Sequence, residues 1–169
     1  MQLNSIDKQR YSKHYRITFW AVIAIMMAVS LICSSLLINI IGDPSANNFW
    51  LNVAGVASAA LVILMLFRRF KTHPFLYEVM YVWHLKQTLN KIYRQQTKII
   101  PLMQTGEAKA LIVMNYYYQG SKQLYQLDNN TITMEELNNK IQELAELLEK
   151  YQVNVSLEEF NIQLLQDFK

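Results

Sequence analysis

The chain has 169 residues, with 16 Lys and Arg against 13 Asp and Glu and a single cysteine, Cys33. A net charge of +3 is too small to argue for a nucleic-acid partner, and no groove-reading or base-stacking motif accompanies it. One cysteine forms no intrachain disulfide.

Residues 1–16 form a basic opening that carries Lys8, Arg10, Lys13 and Arg16. No charged side chain occurs between Arg16 and Asp43, or again between Asp43 and Arg68. The hydrocarbon core of a bilayer is about 30 Å thick, and about 20 apolar residues in a helix cross it. The sequence therefore predicts two transmembrane helices, 17–41 and 49–67. Both are apolar all round, where a surface helix of a soluble domain would show a polar face. A buried hairpin would need a large domain around it, which this length does not supply. A secretory signal peptide is also a poor fit, because its apolar region is about 7–15 residues long.

The loop 42–48 has no Lys or Arg, whereas Arg68, Arg69 and Lys71 follow the second span. The positive-inside rule then places both termini in the cytoplasm and residues 42–48 in the periplasm. Tyr15, Phe19, Trp20, Phe49, Trp50, Phe67 and Phe70 fall at the expected headgroup levels. Gly42 and Pro44 supply the reversal, because proline cannot continue a helix. Ala24, Ala28, Ser30, Ser34, Gly55 and Ala59 have the small-residue spacing that lets two helices approach. Neither span holds an acid, a base or a histidine. Conduits usually need one, so the hairpin reads as an anchor.

Residues 68–169 read as a cytoplasmic helical domain without strands. A third helix is expected from Pro74 to Ile100, with Phe75, Val79, Val82, Leu85, Leu89, Ile92 and Ile99 as its apolar stripe and Pro101 as its breaker. A fourth should cover Gln104 to Leu127. Thr133 and Glu136 form a capping box for a fifth that runs to Tyr151, and Ser156 and Glu159 form another for a sixth. The predicted fold is thus all-α: a two-span transmembrane helical hairpin followed by a bundle of about four helices.

Charge is split along this half. Residues 68–98 hold seven Lys and Arg against Glu78 alone, whereas residues 101–169 hold five Lys against ten acids. Arg68, Arg69, Lys71, Lys91, Arg94 and Lys98 are candidate contacts for anionic lipid. A solvated face paired with the acidic helices is the competing reading of Lys91, Arg94 and Lys98.

No constellation for catalysis, cofactor or metal stands out. Cys33 lies mid-span, and His14, His73 and His84 lack acidic or thiol partners at metal spacing, although His14 and His73 could meet at the inner headgroups. Phosphate loops, nucleophile elbows and the HExxH pattern are absent. The loop that starts at Asp128 lacks the central glycine of a calcium loop and has Asn139 at its twelfth position. Tyr116, Tyr117 and Tyr118 are a candidate partner surface, since three consecutive residues about 100° apart cannot all point inward. Core packing with one exposed ring is the plainer alternative. Gly120, inside the same helix, suggests a close backbone contact or a kink.

The opening Ile6 to His14, the hairpin, the stretch from Tyr117-Tyr118-Gln119-Gly120 to Leu124-Tyr125-Gln126-Leu127 and on to Thr133, and Asn154-Val155-Ser156-Leu157 together resemble an uncharacterised family of small two-span inner-membrane proteins of Gammaproteobacteria. The resemblance implies the bacterial inner membrane and carries over no functional residue. The reading that follows is a membrane-anchored interaction or scaffold protein whose helices bind a protein partner or a second copy. An accessory subunit of a larger complex, or a membrane-associated enzyme or ligand-binding module using His73, His84, Glu78 and the tyrosines, are the alternatives.

Overall fold

The computed structural model describes residues 2–43 and 46–168. These are all-helical, without strands among the described residues, and two long apolar helices at the N-terminal end precede a helical bundle. The chain divides into two units, residues 9–80 and residues 1–8 with 81–169.

In the first unit, helix α1 (Lys8–Ile41) begins within the basic opening and runs through the whole first apolar stretch. At about 1.5 Å per residue its 34 residues outreach the apolar part, so the first turns carry Lys8, Arg10 and Lys13. Helix α2 covers Phe49–Phe70. Both are long and apolar enough to cross a membrane. The reversal assigned to Pro44 lies outside the described residues.

The small residues sit where the two helices touch. A Cβ added to Gly55 would come 2.0 Å from Ser34 Oγ and 2.9 Å from the Ser30 carbonyl oxygen. Only glycine admits that approach. Ala59 is fully buried one turn on, and Ser34 Oγ donates a long 3.5 Å bond to the Asn52 carbonyl. The large side chains do the opposite: Leu31 is 68% exposed and Met65 67%.

The bundle is organised around α5 (Ala108–Leu127), which packs on α4 (Gln96–Gln104), on α6 (Met134–Tyr151) and on the C-terminal segment. Val82, Leu85, Leu89 and Ile92 of α3 (Tyr77–Tyr93), with Ile99 and Met103 of α4, complete its core. Gly120 is the close contact its position suggested: a Cβ there would lie 3.0 Å from Leu89 and 3.3 Å from Leu85. The N-terminal segment joins this unit through three bonds. The Asn4 amide donates to Tyr81 Oη (2.9 Å), Tyr81 Oη donates to Gln123 Oε1 (2.9 Å), and Gln123 Nε2 donates to the Asn4 carbonyl (2.6 Å).

Four local expectations are corrected. The third helix does not reach Ile100. A 3-10 turn, Pro74–Leu76, leads into α3, which ends at Tyr93, and the chain breaks at Arg94–Gln95, where Gln95 has φ −110° and ψ 2°. Pro101 lies inside α4. Its missing N–H would have served the carbonyl of Thr97, an exposed residue, so water can take that bond. The next helix starts at Ala108, not Gln104, because Gly106 holds φ +83° and the Glu107 carboxylate accepts the Ala110 N–H at 2.6 Å as an N-cap.

The capping box at Thr133 does not form. Its ψ of 4° is outside the extended region an N-cap needs, no side-chain cap bond is made, and its hydroxyl is buried without a partner among the described residues. Ser156 does cap, accepting from the Glu158 N–H at 3.3 Å. What it opens is a 3-10 turn, Leu157–Glu159, followed by a second 3-10 segment, Ile162–Phe168, and not an α-helix. Leu165 and Phe168 are three residues apart, the spacing that aligns in a 3-10 helix, and both are buried, whereas Leu164 is not.

Candidate functional site

The tyrosine cluster is largely core. Tyr116 is fully buried and its ring stacks on Phe160 with centroids 3.8 Å apart and planes at 14°. Its hydroxyl has no hydrogen-bond partner among the described residues. Burial pushes the phenol far above its ordinary range. Tyr118 is also buried, and desolvation, then the Glu143 charge and Tyr117, raise its pKa to about 12. Tyr117 alone of the three is half-exposed, its pKa raised first by burial. The candidate surface therefore reduces to the Tyr117 ring. Trp83, missed in the sequence reading, is an aromatic on α3 that is 52% exposed, its ring 4.9 Å from His84.

Within the hairpin unit, the start of α3 places Glu78 against α1. Glu78 is 5% exposed. Arg10 Nε lies 2.8 Å from its Oε1, and His14 Nδ1 lies 3.1 Å from its Oε2. The His14 ring also packs on Phe75 at 4.2 Å. His73 does different work: its Nδ1 accepts the Phe75 N–H at 3.2 Å and caps the turn Pro74–Leu76. The carboxylate so paired is set up to fix the basic opening against the segment after α2. Glu78 is the only acid between Asp43 and Glu107, which is the signal by which it could have been noticed.

Beside this pair, α1 and α2 leave a groove of about 380 Å³, lined by Thr18, Ala21 and Ile25 on one side, Leu66 and Phe70 on the other, and closed by His73 and Phe75. Thr18 carries a buried hydroxyl without a partner among the described residues. Arg68, Arg69 and Lys71 are exposed at the end of α2, and the Arg69 guanidinium stands 6.0 Å from the Phe70 centroid.

Lys91, Arg94 and Lys98 are exposed too, but the break at Gln95 puts Lys98 on a different helix from the other two. Lys91 and Arg94 line a cleft of about 340 Å³ with Gln163 and Gln166. The ion pairs of the bundle use other lysines: Lys86 with Asp128, Lys109 with Asp167, and Lys140 with Glu136. Among the described residues no three of His, Cys, Asp and Glu stand together as metal ligands.

The family model described as a protein of unknown function, DUF3087, matches residues 1–165. The chain belongs to that family. The DUF3087 match spans both units, so the hairpin and the bundle are parts of one family domain. No curated protein and no solved structure matches the chain. The description DUF3087 carries no activity, so the function of this domain rests on its own residues.

Proposed function

We propose that this chain is held in the bacterial inner membrane by α1 and α2, with both termini in the cytoplasm, and that its bundle is an interaction module for a protein partner or a second copy. The observation that carries the reading is the contrast between the two units. The helices of the first turn Leu31, Met65 and their neighbours outward, while the second buries its own core of Leu85, Ile92, Leu111, Met114 and Tyr116. An apolar exterior of two spanning helices is solvated by lipid tails, whereas the bundle closes on itself. The basic residues on either side of the hairpin and the bare loop 42–48 support the orientation. Arg68, Arg69 and Lys71 lie where anionic headgroups would meet them, and Lys91, Arg94 and Lys98 are free to do the same from the bundle.

The partner is sought by photo-crosslinking in cells, with a photoreactive residue at Trp83 or Tyr117. The reading expects a recurrent adduct, to another protein or to a second copy, that disappears when the probe sits at buried Leu111. An adduct to a polytopic membrane protein would make the chain an accessory subunit. Absence of any recurrent adduct from either exposed site would refute the interaction module.

A further inference from the structure

We infer that the groove between the inner ends of α1 and α2 is a binding site for one anionic glycerophospholipid, its acyl chain lying in the groove and its phosphate held by the basic residues beside it. The inference rests on the membrane reading above and adds a ligand to it.

Three observations point to this occupant. The groove, about 380 Å³, falls in the size range of small-molecule sites, about 300–1,000 Å³. Its walls are aliphatic and aromatic, with Thr18 and His73 the polar exceptions. The groove is open along its side, and its apolar walls favour hydrocarbon over water. A hydrocarbon chain fits both facts, and the bilayer supplies it. The second observation is charge. Residues 9–80 contain six cations (Arg10, Lys13, Arg16, Arg68, Arg69 and Lys71) and two acids, Asp43 and Glu78. Asp43 follows the far end of α1, and Glu78 is occupied by Arg10 and His14. Arg68, Arg69 and Lys71 make no ion pair among the described residues, which leaves them for a phosphate. Third, Thr18 lines the groove two residues beyond Arg16, and its buried hydroxyl has no partner among the described residues. The ester carbonyls of a glycerolipid lie just below its phosphate, and a rotation of the Thr18 side chain would turn its hydroxyl into the groove toward one.

The test uses the full chain, purified in detergent, stripped of lipid and titrated with phosphatidylglycerol or phosphatidylcholine under native mass spectrometry. Wild type should retain one phosphatidylglycerol, at least tenfold more tightly than phosphatidylcholine. Ala21→Trp fills the groove from an exposed position of α1 and should cut retention of phosphatidylglycerol tenfold or more. The double variant Arg68→Gln, Arg69→Gln leaves the groove open and should abolish the preference for phosphatidylglycerol. Unchanged retention in Ala21→Trp would overturn the groove as the site, and equal binding of the two lipids by wild type would overturn the anionic headgroup. Recovery of the chain in the membrane fraction of cells separates the two levels. A chain found there whose variants bind like wild type sinks the lipid site alone, and a chain found in the soluble fraction sinks the membrane reading first.

Discussion

Replacing Tyr116 with phenylalanine should make the protein more stable. The ring is fully buried and stacked on Phe160 at 3.8 Å, so Phe keeps the packing and the aromatic pair. What it removes is a hydroxyl without a hydrogen-bond partner among the described residues. A buried polar group left unsatisfied costs about 1–3 kcal/mol, and losing it should return roughly 1 kcal/mol or somewhat more. For a chain of 169 residues that corresponds to a rise in Tm of about 2–4 °C per kcal/mol. Phe160→Ala on the other side of the stack should cost about 3–5 kcal/mol. The assay is thermal unfolding of the full chain in detergent followed by near-ultraviolet circular dichroism, which reports the packing of aromatic side chains rather than backbone helix. A Tyr116→Phe protein less stable than wild type by about 1 kcal/mol would show that the hydroxyl is bonded, and the argument from an orphaned group would fall.

Burial sets the response to alkali. Tyr118 has its pKa raised from 10.0 to about 12 in the fold, so above pH 10 the unfolded chain loses a proton that the folded one keeps. The contribution is intact below pH 10 and is lost as pH rises toward about 12, so denaturant midpoints should fall across that window, and less steeply in Tyr118→Phe. Gly106→Ala combines a φ of +83° with a Cβ placed 2.5 Å from the Tyr151 ring, and should cost roughly 2 kcal/mol in the same unfolding assay. Gly55→Leu should separate α1 from α2, since even a Cβ meets Ser34 Oγ at 2.0 Å; loss of disulfide crosslinking between cysteines placed at Ser34 and Asn52, where Ser34 Oγ and the Asn52 carbonyl oxygen stand 3.5 Å apart, reads it out.

The hairpin was legible because nothing in it depends on distant residues. Absence of charge over each stretch gave the helices, and the spacing of Ser30, Ser34, Gly55 and Ala59 gave their contact. The core positions Val82, Leu85, Leu89 and Ile92 followed from periodicity. Pro101 misled because proline ends a helix only where its missing bond matters, and here the acceptor is on exposed Thr97. Thr133 misled because a capping box is a pattern of side chains, while the cap depends on a ψ set by the turn before it, where Asn129 takes φ 56°. The two 3-10 segments at the C-terminal end looked α-helical because Leu157, Phe160, Leu164 and Phe168 step by threes and fours, whereas the pair actually buried in the second segment is Leu165 and Phe168. The Glu78 pair was hidden by distance: Arg10 and His14 precede it by more than 60 residues, and no local period connects them. The orphaned Tyr116 hydroxyl has no signature in the sequence at all, since it depends on what Phe160 leaves beside it.

The central claim is that α1 and α2 cross the inner membrane with the bundle on the cytoplasmic side. Single cysteines at Ala46 and at Gln126, both exposed positions, in a Cys33→Ser background and treated in intact spheroplasts with a membrane-impermeant maleimide, test it directly. The account predicts labelling at position 46 and none at position 126 until the membrane is opened. Labelling at position 126 in intact spheroplasts, with position 46 silent until lysis, would contradict it.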